Sequence, residues 1–402
     1  MTPDAFSGAA EAMQDQLVAW RRDFHAHPEL GLNCHRTAET VARHLKKLGM
    51  TVATGLAETG VAALLQGAHD GPVVALRVDM DALPVHEQTH LPFASTVAGV
   101  MHACGHDGHT AIGLGAASLI SAVQQDLAGS VQFIFQPGEE SPGGAALMIE
   151  QGVLAHPAVD AIVGLHIHPA LDTGRIGVCS GTVTAGCSDL DIAISGVGGH
   201  AARPHECRDP IAAAGHFIVA VQNLVSRFTD PLDPVVLTIS EIKSGSGYNV
   251  IPAQARLKGT LRYVSAAGRT GALESLRRIA TGIETAFRVR IAVEIRTEEP
   301  PMCVADDLVR TAFQTAAAMQ GAAKVVRITK PSMGAEDFAR FADKVPAAYF
   351  RLGCHDPSRG YIHGLHTPQF DFDESILAVG AAYSARLICN LLTKCQRQEK
   401  AK

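Results

Sequence analysis

Residues 73–81 read Val-Val-Ala-Leu-Arg-Val-Asp-Met-Asp, a mostly apolar run that stops at two carboxylates. Two later segments share this form. Val131 to Phe135 leads into Gln136-Pro137-Gly138-Glu139-Glu140, and Ala161 to Leu165 leads into His166-Ile167-His168-Pro169. Short apolar runs bounded by turn residues read as strands buried on both faces, and a small-residue helix from about Thr110 to Val123 separates the first two. The alternation predicts an α/β fold with a mixed, mainly parallel sheet flanked by helices. Ligands of such open sheets sit beyond the carboxyl ends of the strands, so chemistry is expected in the polar residues that follow each run.

Outward from this core, Met13, Leu17, Trp20 and Phe24 form one helical stripe, and Ala38, Val41, Leu45 and Leu48 form a second that stops at Gly49. From Ser188 the texture changes. An alternating strand (Leu190, Ile192, Ile194) precedes a helix near Pro210 to Phe228. Strands near Val235 to Ile242 and Ala255 to Val264, a helix near Thr270 to Phe287 and a strand near Val289 to Ile295 follow. That β-α-β-β-α-β order is the ferredoxin-like pattern, a unit of about a hundred residues able to fold by itself. After Pro300 and Pro301 come a helix through Leu308 to Met319, a strand near Val345 to Leu352 and a last helix from Glu374 to Leu392. The expected organisation is a catalytic domain in two parts, residues 1–186 and 299–402, interrupted by a smaller domain at residues 187–298.

The chain has 402 residues, 47% of them hydrophobic, enough to build real cores and to exclude disorder as the main state. Its 34 Lys and Arg against 40 Asp and Glu give a net charge of −6, which lacks the basic footprint of a nucleic-acid binder. A small-molecule or peptide-like substrate is the default. The N-terminus shows no signal-peptide core and no later window approaches 18 uncharged apolar residues, so no membrane association and a cytoplasmic location are expected. Nine scattered cysteines argue against a disulfide framework. The 19 histidines are unusual because they cluster with Gly, Asp and Glu, a pattern that suggests metal.

The richest segment is Met101-His102-Ala103-Cys104-Gly105-His106-Asp107-Gly108-His109, placed just ahead of a helix, with Gly105 free to turn Cys104 and His106 toward a common point. A fifth segment, His363-Gly364-Leu365-His366-Thr367-Pro368, lies near the C-terminus. Such a set suits a pair of divalent cations. A thiolate can bridge two ions, imidazoles and a carboxylate can complete their shells, and an uncoordinated neighbouring carboxylate can take a proton from water. Bound cations lower the pKa of that water from near 16 toward roughly 7.

Together these motifs make the chain resemble the amidohydrolase branch of the aminoacylase/carboxypeptidase-type dinuclear metallopeptidases. This group contains hippurate hydrolases, N-acyl-amino-acid amidohydrolases and indole-acetyl-amino-acid hydrolases. The segments that carry the resemblance are those above, together with Phe24 to Gly31, Asp79 to Pro84, Gly198 to His205, Asn249 to Pro252 and Met333 to Phe338. The resemblance implies Cys104 as a bridging metal ligand, His106, Glu140, His166 and His366 as further ligands, and Glu139 as general base and proton donor. It implies Asp81 behind the ligands as an orienting carboxylate. It also makes the inserted domain a lid and dimerisation domain and gives His200 the task of polarising the scissile carbonyl, in cis or from a partner subunit. Asn249, Arg262 and Gly334 are its implied substrate contacts. The implied cofactor is two divalent ions per subunit, zinc, manganese, cobalt or nickel, and the implied assembly is a homodimer or a dimer-based tetramer. The implied reaction is hydrolysis of an N-acyl-amino acid to a carboxylate and a free amino acid, with hippurate-like and N-acetyl substrates equally open.

Two other classes compete. A cysteine hydrolase would use Cys104 as nucleophile with His106 or His109 as base, and would be indifferent to chelators. A non-catalytic metal-binding protein would hold a closed site, which leaves the paired glutamates without a purpose. His25, His27 and Glu29 read as a turn packed under the site, and His102, His109 and His168 as residues behind the ligands or on the surface. Glu336 and Asp337 sit at a helix start, where carboxylates are favoured regardless of catalysis.

Overall fold

The computed structural model describes residues 3–141 and 143–399. Three helices open the chain, α1 (Pro3–Ala12), α2 (Gln14–Ala26) and α3 (His35–Lys47). They are followed by β1 (Thr51–Leu56), β2 (Gly60–Gln66), β3 (His69–Asp79), α4 (His106–Ser121), β4 (Ala128–Gln136), α5 (Gly144–Glu150), β5 (Ala161–Asp172) and β6 (Ile176–Cys179). Next come β7 (Gly186–Ser195), α6 (Pro210–Asn223), β8 (Val235–Ser244), β9 (Gln254–Tyr263), α7 (Ala266–Phe287) and β10 (Arg290–Glu299). The chain closes through α8 (Asp306–Gln320), β11 (Val325–Ile328), β12 (Ala347–His355) and α9 (Ile376–Glu399).

The larger of two compact units comprises residues up to Gly181, Cys303–Thr329 and residues from Arg340 on. Its eight-stranded sheet runs β1-β2-β4-β3-β5-β12-β6-β11. The central neighbours β4, β3, β5 and β12 are parallel, as are β6 and β11. The pairs β1/β2, β2/β4 and β12/β6 are antiparallel. The apolar runs of the sequence are these central strands. Hairpin β1–β2 escaped the sequence reading because β1 has an irregular burial pattern and β2 no polar alternation.

Helix α4 is buried on nearly every side, and its small residues are what allow this. A Cβ at Gly115 would stand 2.6 Å from Leu17 of α2 and 2.9 Å from Ala381 of α9. The helix begins at His106, four residues before the start expected from the sequence, so Cys104 and His106 lie at its entrance.

The smaller unit comprises Thr182–Met302 and Lys330–Ala339. It is a β-α-β-β-α-β unit whose antiparallel sheet runs β8-β9-β7-β10 over a core that includes Leu190, Ile192, Phe217, Val221, Leu257 and Leu276. Segment Lys330–Ala339, assigned by the sequence to the second part of the catalytic domain, belongs with it for a specific reason. The Ser332 N–H donates to the Val183 carbonyl (2.9 Å), and the Ser332 carbonyl accepts from the Ala185 N–H (2.8 Å).

As the sequence indicates, the longest apolar helical stretches each carry charge, Arg227 in one and Arg386 and Lys394 in the other. Pro210–Phe228 and Ile376–Gln396 are nonetheless long and apolar enough to cross a membrane by length and composition alone. The second is 72% buried and is the core helix α9, with Ile376, Ala381, Leu387 and Leu391 packed inside. The first is only 28% buried, since just one face of α6 packs on its own sheet.

Candidate metal centre and active site

Within the larger unit, parallel strands deliver their following residues to one edge of the sheet. Asp81 follows β3, Glu139 and Glu140 follow β4, and His166 lies within β5. Gly105, at φ +89°, caps the start of α4. A Cβ there would meet the Ile167 side chain at 3.3 and 3.4 Å, so both conformation and space favour glycine between Cys104 and His106. His366 is also in the left-handed region, at φ +62°, held by donation of its N–H to the Ala103 carbonyl at 2.7 Å.

The five expected ligand residues converge. Cys104 Sγ lies 3.4 Å from His166 Nε2 and 3.3 Å from His366 Nε2, and His366 Nε2 lies 3.1 Å from Glu140 Oε1. The donor atoms of Cys104, His106 and His166 lie within 4.8 Å of one another, as do those of Cys104, Glu140 and His366 and those of His106, Glu139 and Glu140. Cys104 is therefore common to two donor groups, the position a bridging thiolate would occupy. The donor set of sulfur, imidazole and carboxylate fits divalent transition metals.

Hydrogen bonds behind the cluster fix which atoms face it. His106 Nδ1 donates to the Asp81 carbonyl (2.8 Å), leaving Nε2 buried with no hydrogen-bond partner among the described residues. A buried, aimed imidazole nitrogen of this kind is what an ion would satisfy. His166 Nδ1 lies 2.5 Å from the Ile167 carbonyl, so its Nε2 faces Cys104. The Asp81 carboxylate accepts from the Glu139 N–H (2.9 Å) and the Glu140 N–H (3.1 Å), clamping the two adjacent glutamates.

Sequence reasoning gave no role to Asp79 and read His109 as a residue behind the ligands or on the surface. Both are fully buried. His109 Nδ1 lies 2.5 Å from Asp79 Oδ1, and its Nε2 accepts from the Ile167 N–H at 2.8 Å. Asp79, His106 and His109 are close enough to hold an ion, but the His109 Nε2 lone pair is committed to a backbone amide. His109 therefore supports the strand carrying His166. No sequence signal could have shown this, because it depends on a partner 58 residues away.

The electrostatics fit a site built for positive charge. Burial, then Glu140 and Glu139, push the Cys104 thiol well above its usual range. Burial disfavours a charged His106, but Asp79 and Asp81 outweigh it and lift this imidazole to about 10. Burial and the neighbouring His109 hold His166 well below the usual histidine range. The protons retained on Cys104 and His106 stand where cations would compensate the same carboxylates.

The remaining candidates lie in the smaller unit. His200 belongs to the short strand Gly199–His200, paired with Val250–Ile251, and the Ala201 N–H donates to the Asn249 carbonyl at 3.0 Å. His200 is exposed, and its Nδ1 accepts from the Ala202 N–H at 3.1 Å, which leaves the proton on Nε2. Arg262 lies at the other end of β9, paired with Cys187. Gly334 lies two residues from Ser332, which pairs with Thr184 close to that same end. The structure thus brings His200 and Asn249 together and separates them from Arg262 and Gly334.

A fold of this topology with clustered sulfur, imidazole and carboxylate donors defines a metallohydrolase-type protein, and comparison with known proteins gives its family. Residues 75–390 match the family model of peptidase family M20/M25/M40, and the chain belongs to that family. It is a hydrolase of the amidohydrolase type. It is similar to an N-acetylcysteine deacetylase of Bacillus subtilis, at 39% identity over 94% of this chain and 97% of the relative. An N-acyl-L-amino acid amidohydrolase of Geobacillus stearothermophilus is 39% identical over 71% of this chain and 77% of its own length. Among solved structures, the YXEP protein of Bacillus subtilis, described as a dinuclear metal binding peptidase from the M20 family, aligns with a TM-score of 0.84 and 36% identity. That alignment covers 95% of this chain and 99% of the other.

Proposed function

We propose that the protein cleaves the amide bond of N-acyl-amino acids, releasing a carboxylate and a free amino acid. The observation that carries this reading is a buried thiol shared by two donor groups, with Glu139 within reach of both His106 and Glu140. In this reading Cys104, His106, Glu140, His166 and His366 would hold two divalent ions, zinc, manganese, cobalt or nickel. When bound, such ions acidify water and polarise a carbonyl. Glu139, its backbone fixed through Asp81, takes a proton from the attacking water and passes it to the leaving amine. His200 offers its Nε2–H to the carbonyl oxygen as negative charge develops there.

Asn249 and Arg262 are the proposed contacts for the substrate carboxylate, with Gly334 a further substrate contact. Eight residues of β9 separate Gln254, near the His200 corner, from Arg262, a span of roughly 26 Å in an extended strand. One small N-acyl-amino acid cannot touch both ends of that rigid sheet. This supports a homodimer, or a tetramer built from dimers, in which each smaller, ferredoxin-like unit acts as lid and dimerisation domain and lends His200 and Asn249 to its partner's catalytic domain. Nine cysteines with no paired spacing support a reducing, cytoplasmic setting.

Cysteine-nucleophile chemistry has less support, because the bases it needs are tied into other hydrogen bonds: His106 Nδ1 bonds the Asp81 carbonyl, and both ring nitrogens of His109 are taken by Asp79 and the Ile167 N–H. The test is a hydrolysis panel of N-acetyl, N-benzoyl and longer N-acyl amino acids with the protein chelated and then resupplied with each cation. Activity lost on chelation and restored by a divalent ion is the expected result. Activity that ignores chelators but yields to thiol alkylation would overturn the reading.

A further inference from the structure

Strand β12 lies beside β5 in parallel register, with Arg351 opposite His166 and Gly353 opposite His168. Side chains paired across adjacent strands leave the sheet on the same face, so Arg351 projects on the face that carries His166. The neighbouring residues Phe350 and Leu352 take the opposite face and are fully buried in the core. Arg351 itself is half-buried, and its Nη1 lies 3.3 Å from His168 Nε2.

Arg351 has no counter-ion among the described residues, a feature that, of the half-buried arginines, it shares with Arg262. Arg21 is met by Asp107, Asp371 and Glu374, Arg77 by Asp79, Arg36 by Asp23 and Arg269 by Glu298. Among the described residues no carboxylate stands within ion-pair distance of Arg351. His168 accepts one of its N–H groups, which orients the guanidinium without neutralising it. A half-withdrawn guanidinium pays a desolvation cost that an arriving anion would offset, and its planar fork matches a carboxylate better than any other ligand of this size.

We propose that Arg351 is a specificity-determining residue that grips a carboxylate of the substrate from the strand next to His166. The proposal rests on the amidohydrolase reading and adds to it a preference for anionic substrates. Arg351 either shares the α-carboxylate with the contacts proposed above or takes a second carboxylate on the side chain.

The experiment is steady-state kinetics of the metal-loaded enzyme and of its Arg351→Met and Arg351→Lys variants on matched pairs. One pair is an N-acetyl-amino acid and its carboxamide, and the other is N-acetylglutamate and N-acetylglutamine. The expected result is that Arg351→Met raises KM about tenfold or more for the charged member of one pair, with kcat nearly unchanged and the neutral member unaffected. The affected pair identifies which carboxylate is held. Arg351→Lys should recover part of the loss. Wild-type discrimination that survives unchanged in both variants overturns the proposal alone. Equal loss on charged and neutral members in Arg351→Lys also overturns it, since a folding defect cannot distinguish charge. A wild-type enzyme that hydrolyses no member overturns the functional reading and this proposal together.

Discussion

At the scale of single residues, Asp81 holds the N–H groups of both adjacent glutamates, and the proposed function gives their carboxylates separate tasks. Glu140 turns to His366 and Cys104, while Glu139 is the candidate for moving the proton. Glu139→Ala should therefore keep its metal and its fold while turnover falls by about 10²- to 10⁴-fold, measured by elemental analysis beside kcat. An active variant, or one that has lost its metal, would contradict that division. Cys104, His106, Glu140, His166 and His366 could be singled out in the sequence because Cys104 and His106 flank Gly105, Glu140 and His166 come after apolar runs, and His366 lies two residues after Gly364. His109 could not, since whether an imidazole nitrogen faces an ion or an amide depends on distant backbone. Arg351 gave no motif at all, and only strand register puts it beside His166.

At the scale of elements, the entrance of α4 is held by a buried charge network from α2. Arg21 Nε lies 2.9 Å from Asp107 Oδ2, and His25 stands between Asp107 (2.8 Å) and Glu87 (3.1 Å), with a carboxylate at each ring nitrogen. Burial opposes charge on His25, but its hydrogen bonds to Asp107 and Glu87 prevail and raise its pKa above 6.5. Burial likewise opposes charge on Asp107, yet Arg21 and His25 draw it well below the usual carboxylate range. The two groups act in opposite pH windows. Stability from His25 is fully present below its unfolded value and is lost as pH rises through its higher folded value. That from Asp107 is present above its unfolded value and is lost as pH falls toward its depressed one. The advantage of wild type over His25→Gln in urea midpoint should therefore be greatest near about pH 5 and shrink toward about pH 9. An advantage that grows with pH would refute the protonated His25. From the sequence, the segment Phe24 to Gly31 reads only as packing under the site. Its Glu29 does serve structure, accepting from the Arg36 and Thr37 N–H groups at the start of α3.

At the scale of the whole molecule, the order of the smaller unit and the central strands of the larger one were legible because apolar runs and stripes mark their buried faces, whereas the short elements α1, α5, β6 and β11 were not. The edge hairpin β1–β2 and the attachment of Lys330–Ala339 were not, since one lacks periodicity and the other depends on pairing with Val183 and Ala185. In the smaller unit the helical stretch from α6 to Phe228 and the loop beyond it leave Val219 at 70%, Phe228 at 58% and Leu232 at 91% exposed, and β8 ends its sheet with Val236 and Ile242 outward. Exposed apolar residues near a strand that ends its sheet suit the homodimer proposed above. Val219→Asp combined with Phe228→Asp should give monomers by light scattering and abolish turnover, and active monomers would remove the shared-site arrangement. The central claim is that two ions share Cys104. Anomalous diffraction from metal-loaded crystals tests it directly. Two peaks flanking the Cys104 sulfur, with His106, Glu140, His166 and His366 around them, are the predicted result, whereas a single peak, or a peak between Asp79 and His109, would contradict it.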